Sequence, residues 1–291
     1  MTHQALELIR LNNLQLVAKI VSDAMWTGLH WGKRIGSGTE FEQYKHYEPG
    51  DDPKMIDWKL FARSNRYQVR ESNIESHLNI RFLVDGSGSM NYKEDGVSRL
   101  DYVKILAASL AYLGHQQNDK MSLFVLQNGQ MEMKVPAKGH SFQRILVQLE
   151  SLKAEGKWGN MDPDLPELNS RQKELIFFFS DLFQIDEEWI RLIQSMVSNK
   201  REIIIFQILG DHELDFSLKK GMYRFEDLES NRTVELQTKQ VATAYRKSIS
   251  HFLTDLDREL NLPRVRLFRC RLSDPVENIL LAYLTSKQKK S

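Results

Sequence analysis

Cysteine is almost missing. Cys270 stands alone in 291 residues, so neither an internal disulfide nor a thiolate metal cage can form, and the residue reads as a small buried apolar side chain. Net charge is almost missing too: 40 Lys and Arg against 39 Asp and Glu leave +1. With the two signs mixed along the chain, no field exists to hold nucleic acid or an anionic membrane. No apolar run approaches the ~20 residues of a membrane span, and the opening MTHQALELIRLNNLQ interrupts its apolar stretches too often for a signal peptide. The expectation is a cytoplasmic chain with no nucleic acid partner and no membrane insertion. Signatures of common enzymes are absent as well: no GxxxxGK[ST] phosphate loop, no GxSxG elbow, and no HExxH among the eight histidines. The basic cluster Arg264, Arg266, Arg269 and Arg271 lies near an expected sheet edge, where charge discourages edge-to-edge pairing.

What is present is an ordinary globular composition, 41% apolar and 27% charged, enough for a substantial core. Leu6, Ile9, Leu14, Val17, Ile20 and Val21 recur at helical spacing and predict an amphipathic helix over residues 4–24. From Trp26 to Asn79 glycines, aromatics and both charges are mixed, with a turn signal at Pro49 to Pro53. After that the rhythm changes. The apolar runs IRFLV, MSLFVL, LIFFF, IIIFQIL and VRLFRC alternate with helical patterns at 98–114, 141–152, 186–199, 238–260 and 275–286. Strands apolar on both faces and separated by helices predict a mostly parallel sheet covered on each side. MEMKVP at 131–136 reads as an antiparallel edge strand, and 223–237 as an inserted hairpin. The expected organisation is an N-terminal helix and irregular/β region over 1–77, packed on an α/β domain over 78–291.

The stretch IRFLVDGSGSM ends its apolar run on Asp85 and follows it with Ser87 and Ser89, spaced by Gly86 and Gly88. In an open parallel sheet, ligands bind beyond the carboxyl ends of the strands where strand order reverses. A glycine-rich loop there can curl so that a carboxylate and two hydroxyls converge. These are hard oxygen ligands, suited to magnesium, calcium or manganese and unsuited to zinc or copper. Asp181, in FFFSD, closes another strand at the same edge. A blander reading of Asp85, Ser87 and Ser89 is a turn that caps the following helix, and Asp181 can equally be a polar strand terminus.

DGSGSM, a following helix and a later strand ending in SD resemble the metal-ion-dependent adhesion site of von Willebrand factor A domains. The resemblance implies a Rossmann-like fold. It also implies that Ser87 and Ser89 bind a cation directly, that Asp85 and Asp181 bind it mostly through water, and that a partner's carboxylate completes the shell. That site also uses a threonine, yet no threonine occurs between Thr39 and Thr233; Asp162, in GKWGNMDPDL, is the candidate replacement. The run GSGTEFEQYKHYEPGDDPKMIDWKLFARSNRYQVRESNIE is similar to the segment preceding the A domain in the bacterial domain-of-unknown-function family fifty-eight, and ILGDHELDF continues the likeness. That resemblance implies a non-enzymatic adaptor working with a MoxR-type AAA+ ATPase in remodelling an unknown client protein, with Mg2+ or Mn2+ weakly held. Within GDDPKMIDW and beyond it, Asp51, Asp52, Asp57, Trp58 and Arg63 are candidates for partner binding or for a buried latch that Glu40 and Arg70 could join. Two alternatives stand beside the adaptor. One is an interaction protein with a degenerate, metal-free site. The other is a metal-dependent phosphohydrolase resembling the haloacid dehalogenases, whose DxD second aspartate is here replaced by Ser87.

Overall fold

The computed structural model describes residues 13–29, 43–47, 56, 58–71, 78–157, 173–183, 188–219, 221–228 and 232–288. The chain divides into two compact units, residues 1–31 with 77–291, and residues 32–76. In the smaller unit, Gln43–His46 pairs antiparallel with Gln68–Glu71, and a short helix spans Trp58–Ser64. The Phe61 and Tyr67 rings stack there at 4.4 Å.

The larger unit is built on six strands: β1 (Asn79–Asp85), β2 (Lys120–Gln127), β3 (Gln130–Val135), β4 (Glu174–Ser180), β5 (Arg201–Leu209) and β6 (Val265–Arg271). Their order is β6-β5-β4-β1-β2-β3, parallel throughout except for the antiparallel edge strand β3. Among the described residues, helices α1 (Leu14–Leu29), α2 (Arg99–Gln116), α3 (Ser141–Ser151), α4 (Glu188–Met196), α5 (Asp211–Asp215), α6 (Thr238–Glu259) and α7 (Val276–Gln288) surround this sheet, with two small antiparallel pairs, Lys93–Glu94 with Val97–Ser98 and Met222–Glu226 with Thr233–Gln237.

Period-2 alternation within each buried strand divides the core into two layers. Phe82, Val84, Phe177 and Phe179 face the layer formed with α1, α2, α3 and α7. Leu83, Ile176, Phe178 and Ile205 face the layer formed with α4 and α6. Each such side chain contributes roughly 1.5–3 kcal/mol by leaving water, so both faces require cover and the sheet is held between helices. The fold is therefore the mixed α/β, doubly wound arrangement expected from the alternating pattern.

One expectation needs correcting. Leu14, Val17, Ala18 and Val21 are buried in the same layer as α2, so α1 belongs to the larger unit and a single cut at residue 77 does not divide the chain. Residues 4–12 of the expected helix lie outside the described residues. In the smaller unit, Trp58 and Arg63 both lie on the short helix Trp58–Ser64. Asp51, Asp52 and Asp57, together with Glu40, lie outside the described residues.

Three arginines of the basic cluster, all on β6, are paired with carboxylates of the same unit. Arg266 pairs with Glu202, Arg269 with Asp257, and Arg271 with Asp211 and Asp215. Cys270 is fully buried, and burial pushes its thiol up.

Candidate functional site

The strand order reverses between β1 and β4: from β1 the chain goes to β2 and β3 on one side, and β4 starts the run to β5 and β6 on the other. The crevice at a switch of this kind lies beyond the carboxyl ends of the two strands. Asp85 is the last residue of β1, and Asp181 follows the last residue of β4. Both are fully buried.

Asp85 organises the loop after β1. One carboxylate oxygen accepts the Ser87 N–H at 2.9 Å and the other accepts the Ser180 hydroxyl at 2.6 Å. The Ser87 and Ser89 hydroxyls then meet at 3.0 Å. The loop is fixed from outside by Gly88 N–H donating to the Gly156 carbonyl at 2.9 Å and by the Gln127 amide donating to the Gly86 carbonyl at 3.0 Å. Gly88 is required by close approach, because a Cβ there would collide with the backbone carbonyl of Leu228. The capping explanation of this loop fails. Helix α2 is capped by Ser98 in a reciprocal box with Asp101, whereas Ser87 makes no capping bond to the short turn Gly88–Asn91.

Arg99, the first residue of α2, also belongs to this cluster, and the sequence reading does not single it out. Its Nη1 donates to Asp181 Oδ2 at 2.6 Å and to the Ser89 carbonyl at 2.9 Å, while Nη2 donates to both carboxylate oxygens of Glu213. The guanidinium lies 4.7 Å from the Tyr92 ring and 5.5 Å from the Phe183 ring. A signal was available, since a cation in the first turn of a helix opposes the helix dipole and needs a compensating partner. Glu213 sits on α5 within ILGDHELDF. Glu94 secures that helix by accepting the Asp211 N–H at 2.7 Å and the His212 N–H at 2.9 Å.

Asp181 and Glu213 thus share one guanidinium, and Asp85 lies beside Asp181. Burial, with the nearby Asp181 charge, pushes the Asp85 carboxyl up to about 7. Burial also raises Glu213 despite the opposing Arg99. Burial disfavours the charge on Arg99, but Asp181 and Glu213 outweigh that and hold it above its ordinary value. Negative charge at the switch point is therefore incompletely balanced, and a divalent cation beside the paired hydroxyls would relieve it. Asp85, Ser87, Ser89 and Asp181 form a donor set that fits a hard cation. Among the described residues no three His, Cys, Asp or Glu side chains gather as a cage, so such an ion would depend on the hydroxyls. Asp162 lies outside the described residues. A cavity of about 360 Å³ opens beside Glu213, lined by Phe183, Tyr245, Ser248, Ile249 and Phe252.

No helix among the described residues is long and apolar enough to cross a membrane. Among solved structures, the chain is similar to the conserved hypothetical protein BatB from Bacteroides thetaiotaomicron, at 13% identity and TM-score 0.47 over 74% of this chain and 100% of that one. It is also similar to the SpRpn10 VWA domain, at 13% identity and TM-score 0.41 over 70% of this chain and 94% of that one. Uncharacterised proteins of Mycobacterium bovis and Mycobacterium tuberculosis are 24% identical over 212 residues, 70% of this chain and 66% of theirs. The match thus spans just under two thirds of those relatives' length. The model of the family described as protein of unknown function DUF58 matches residues 43–255, and the chain belongs to that family.

Proposed function

We propose that this chain is a non-enzymatic protein-binding adaptor whose recognition site is a divalent cation, Mg2+ or Mn2+, held by Asp85, Ser87, Ser89 and Asp181 and completed by a carboxylate from a partner protein. The observation that carries the reading is the pairing of the Ser87 and Ser89 hydroxyls beside two buried carboxylates at the switch point of the sheet. A bound cation would invert the local potential, so that an incoming Asp or Glu is attracted where the bare aspartates would repel it. By the family resemblance, the partner is a MoxR-type AAA+ ATPase, and the pair would remodel a client protein.

The test is surface binding of a purified MoxR-type ATPase to the wild type and to the Ser87→Ala, Ser89→Ala double variant, in magnesium and in EDTA. The reading expects binding only for the wild type in magnesium. Equal binding in all four conditions contradicts it. Such a result favours a metal-free interaction protein, a second reading supported by the full burial of Asp85, Ser87 and Asp181 and by the bond that Asp181 already makes to Arg99.

A further inference from the structure

We propose that Arg99 is a tethered competitor for the divalent cation, so that the ion and the partner's carboxylate bind together and the ion binds poorly alone. This rests on the cation site proposed above and adds its regulation.

The geometry places the guanidinium on one of the cation's own ligands and beside a second. Through one nitrogen Arg99 touches the Asp181 carboxylate, one of the ion's four ligands, and the backbone carbonyl of Ser89, whose hydroxyl is another. Two cations cannot neutralise one carboxylate without repelling each other, and at short range in a partly desolvated site that repulsion is strong. Arg99 also has somewhere to go. Nη2 is held by Glu213, whose side chain is 19% exposed against 3% for Arg99 and none for Asp181. Glu213 is therefore the outer hold, and withdrawal of Nη1 from Asp181 leaves the guanidinium still paired. The resting arrangement is also incompletely satisfied, since Arg99 Nε is buried with no hydrogen-bond partner among the described residues.

The consequence is conditional binding. An ion arriving alone must displace Arg99 from Asp181 and tolerate its charge nearby. An ion arriving with a partner's carboxylate brings one more negative charge, which offsets the repulsion. Glu213 lines the cavity formed by Phe183, Tyr245, Ile249 and Phe252, so movement of Arg99 would reach the surface through that wall.

The experiment is calorimetric titration of the full chain with MgCl2 alone, for wild type, Arg99→Gln and Arg99→Lys, with folding checked by circular dichroism. Arg99→Gln should bind magnesium about tenfold more tightly or better, because a fixed cation is removed from the ion's neighbourhood. Arg99→Lys should fall between the two, because a single ammonium cannot bridge Asp181 and Glu213 as the planar fork does. If Arg99→Gln fails to fold, the lysine variant carries the test, and it must still exceed the wild type. A wild type that binds magnesium as tightly as the folded variants, or more tightly, overturns the competitor and leaves the cation site standing. Absence of binding in every folded form overturns both.

Discussion

The Arg99 guanidinium sits 2.6 Å from the Asp181 carboxylate, and both side chains are buried. Buried ion pairs seldom stabilise a fold more than well-packed apolar residues would, because desolvation offsets the attraction. This one stands at the switch point between β1 and β4, where a doubly wound sheet places its ligands. That position is the one the proposed control of a cation site requires.

The pH dependence of stability should reveal the unbalanced carboxylates. Asp85 ionises at about 7 in the folded chain against an ordinary value of 3.8, so between those values the folded state holds a proton that the unfolded state has lost. Its contribution is therefore fully present below the lower value and is lost as pH rises through the upper one. Melting in EDTA should show this fall, and Asp85→Asn should flatten it. Saturating magnesium should flatten it too, because the ion favours the charged carboxylate. A wild-type profile in EDTA with the same slope as Asp85→Asn would contradict the assignment.

Gly88→Ala should destabilise the chain by about 1–3 kcal/mol, the usual cost of forcing atoms into a packed site. The added methyl meets the Leu228 backbone, which cannot rotate away as a side chain could. Urea unfolding of the variant measures this, and an unchanged midpoint would show that Leu228 does not lie against the loop.

At the opposite end of the sheet, Glu174 joins Arg81 at 2.7 Å and Arg201 at 2.7 Å. Arg81 is fully buried, so Glu174→Ala should cost about 3–5 kcal/mol, the usual cost of removing one partner of a buried ion pair. Because this triad is remote from the loop after β1, magnesium affinity per folded molecule should be unchanged. A loss of affinity in the folded variant would mean that the two ends of the sheet are coupled.

How far the sequence could be read followed from range. The strands and helices of the larger unit were legible because burial on both faces forces near-continuous apolar runs such as Ile203–Leu209, and the ends of β1 and β4 were marked by Asp85 and Asp181. The edge position of β3 and the hairpin Met222–Gln237 followed from their turns. Arg99 and Glu213 were not legible as a pair: they are 114 residues apart, and no local pattern records that contact. The packing of α1 was hidden for a similar reason. Its apolar face at Leu14, Val17, Ala18 and Val21 shows that it must be covered, and only the tertiary fold shows that α2 and α7 cover it.

The cation site proposed at the carboxyl ends of β1 and β4 is open to manganese, because a paramagnetic ion broadens the amide NMR signals of the residues nearest to it. Titration should selectively broaden residues 85–90 and 180–182, magnesium should restore them, and the Ser87→Ala, Ser89→Ala double variant should show no such pattern. Broadening confined to other residues, or equal in the wild type and the double variant, would contradict the claim.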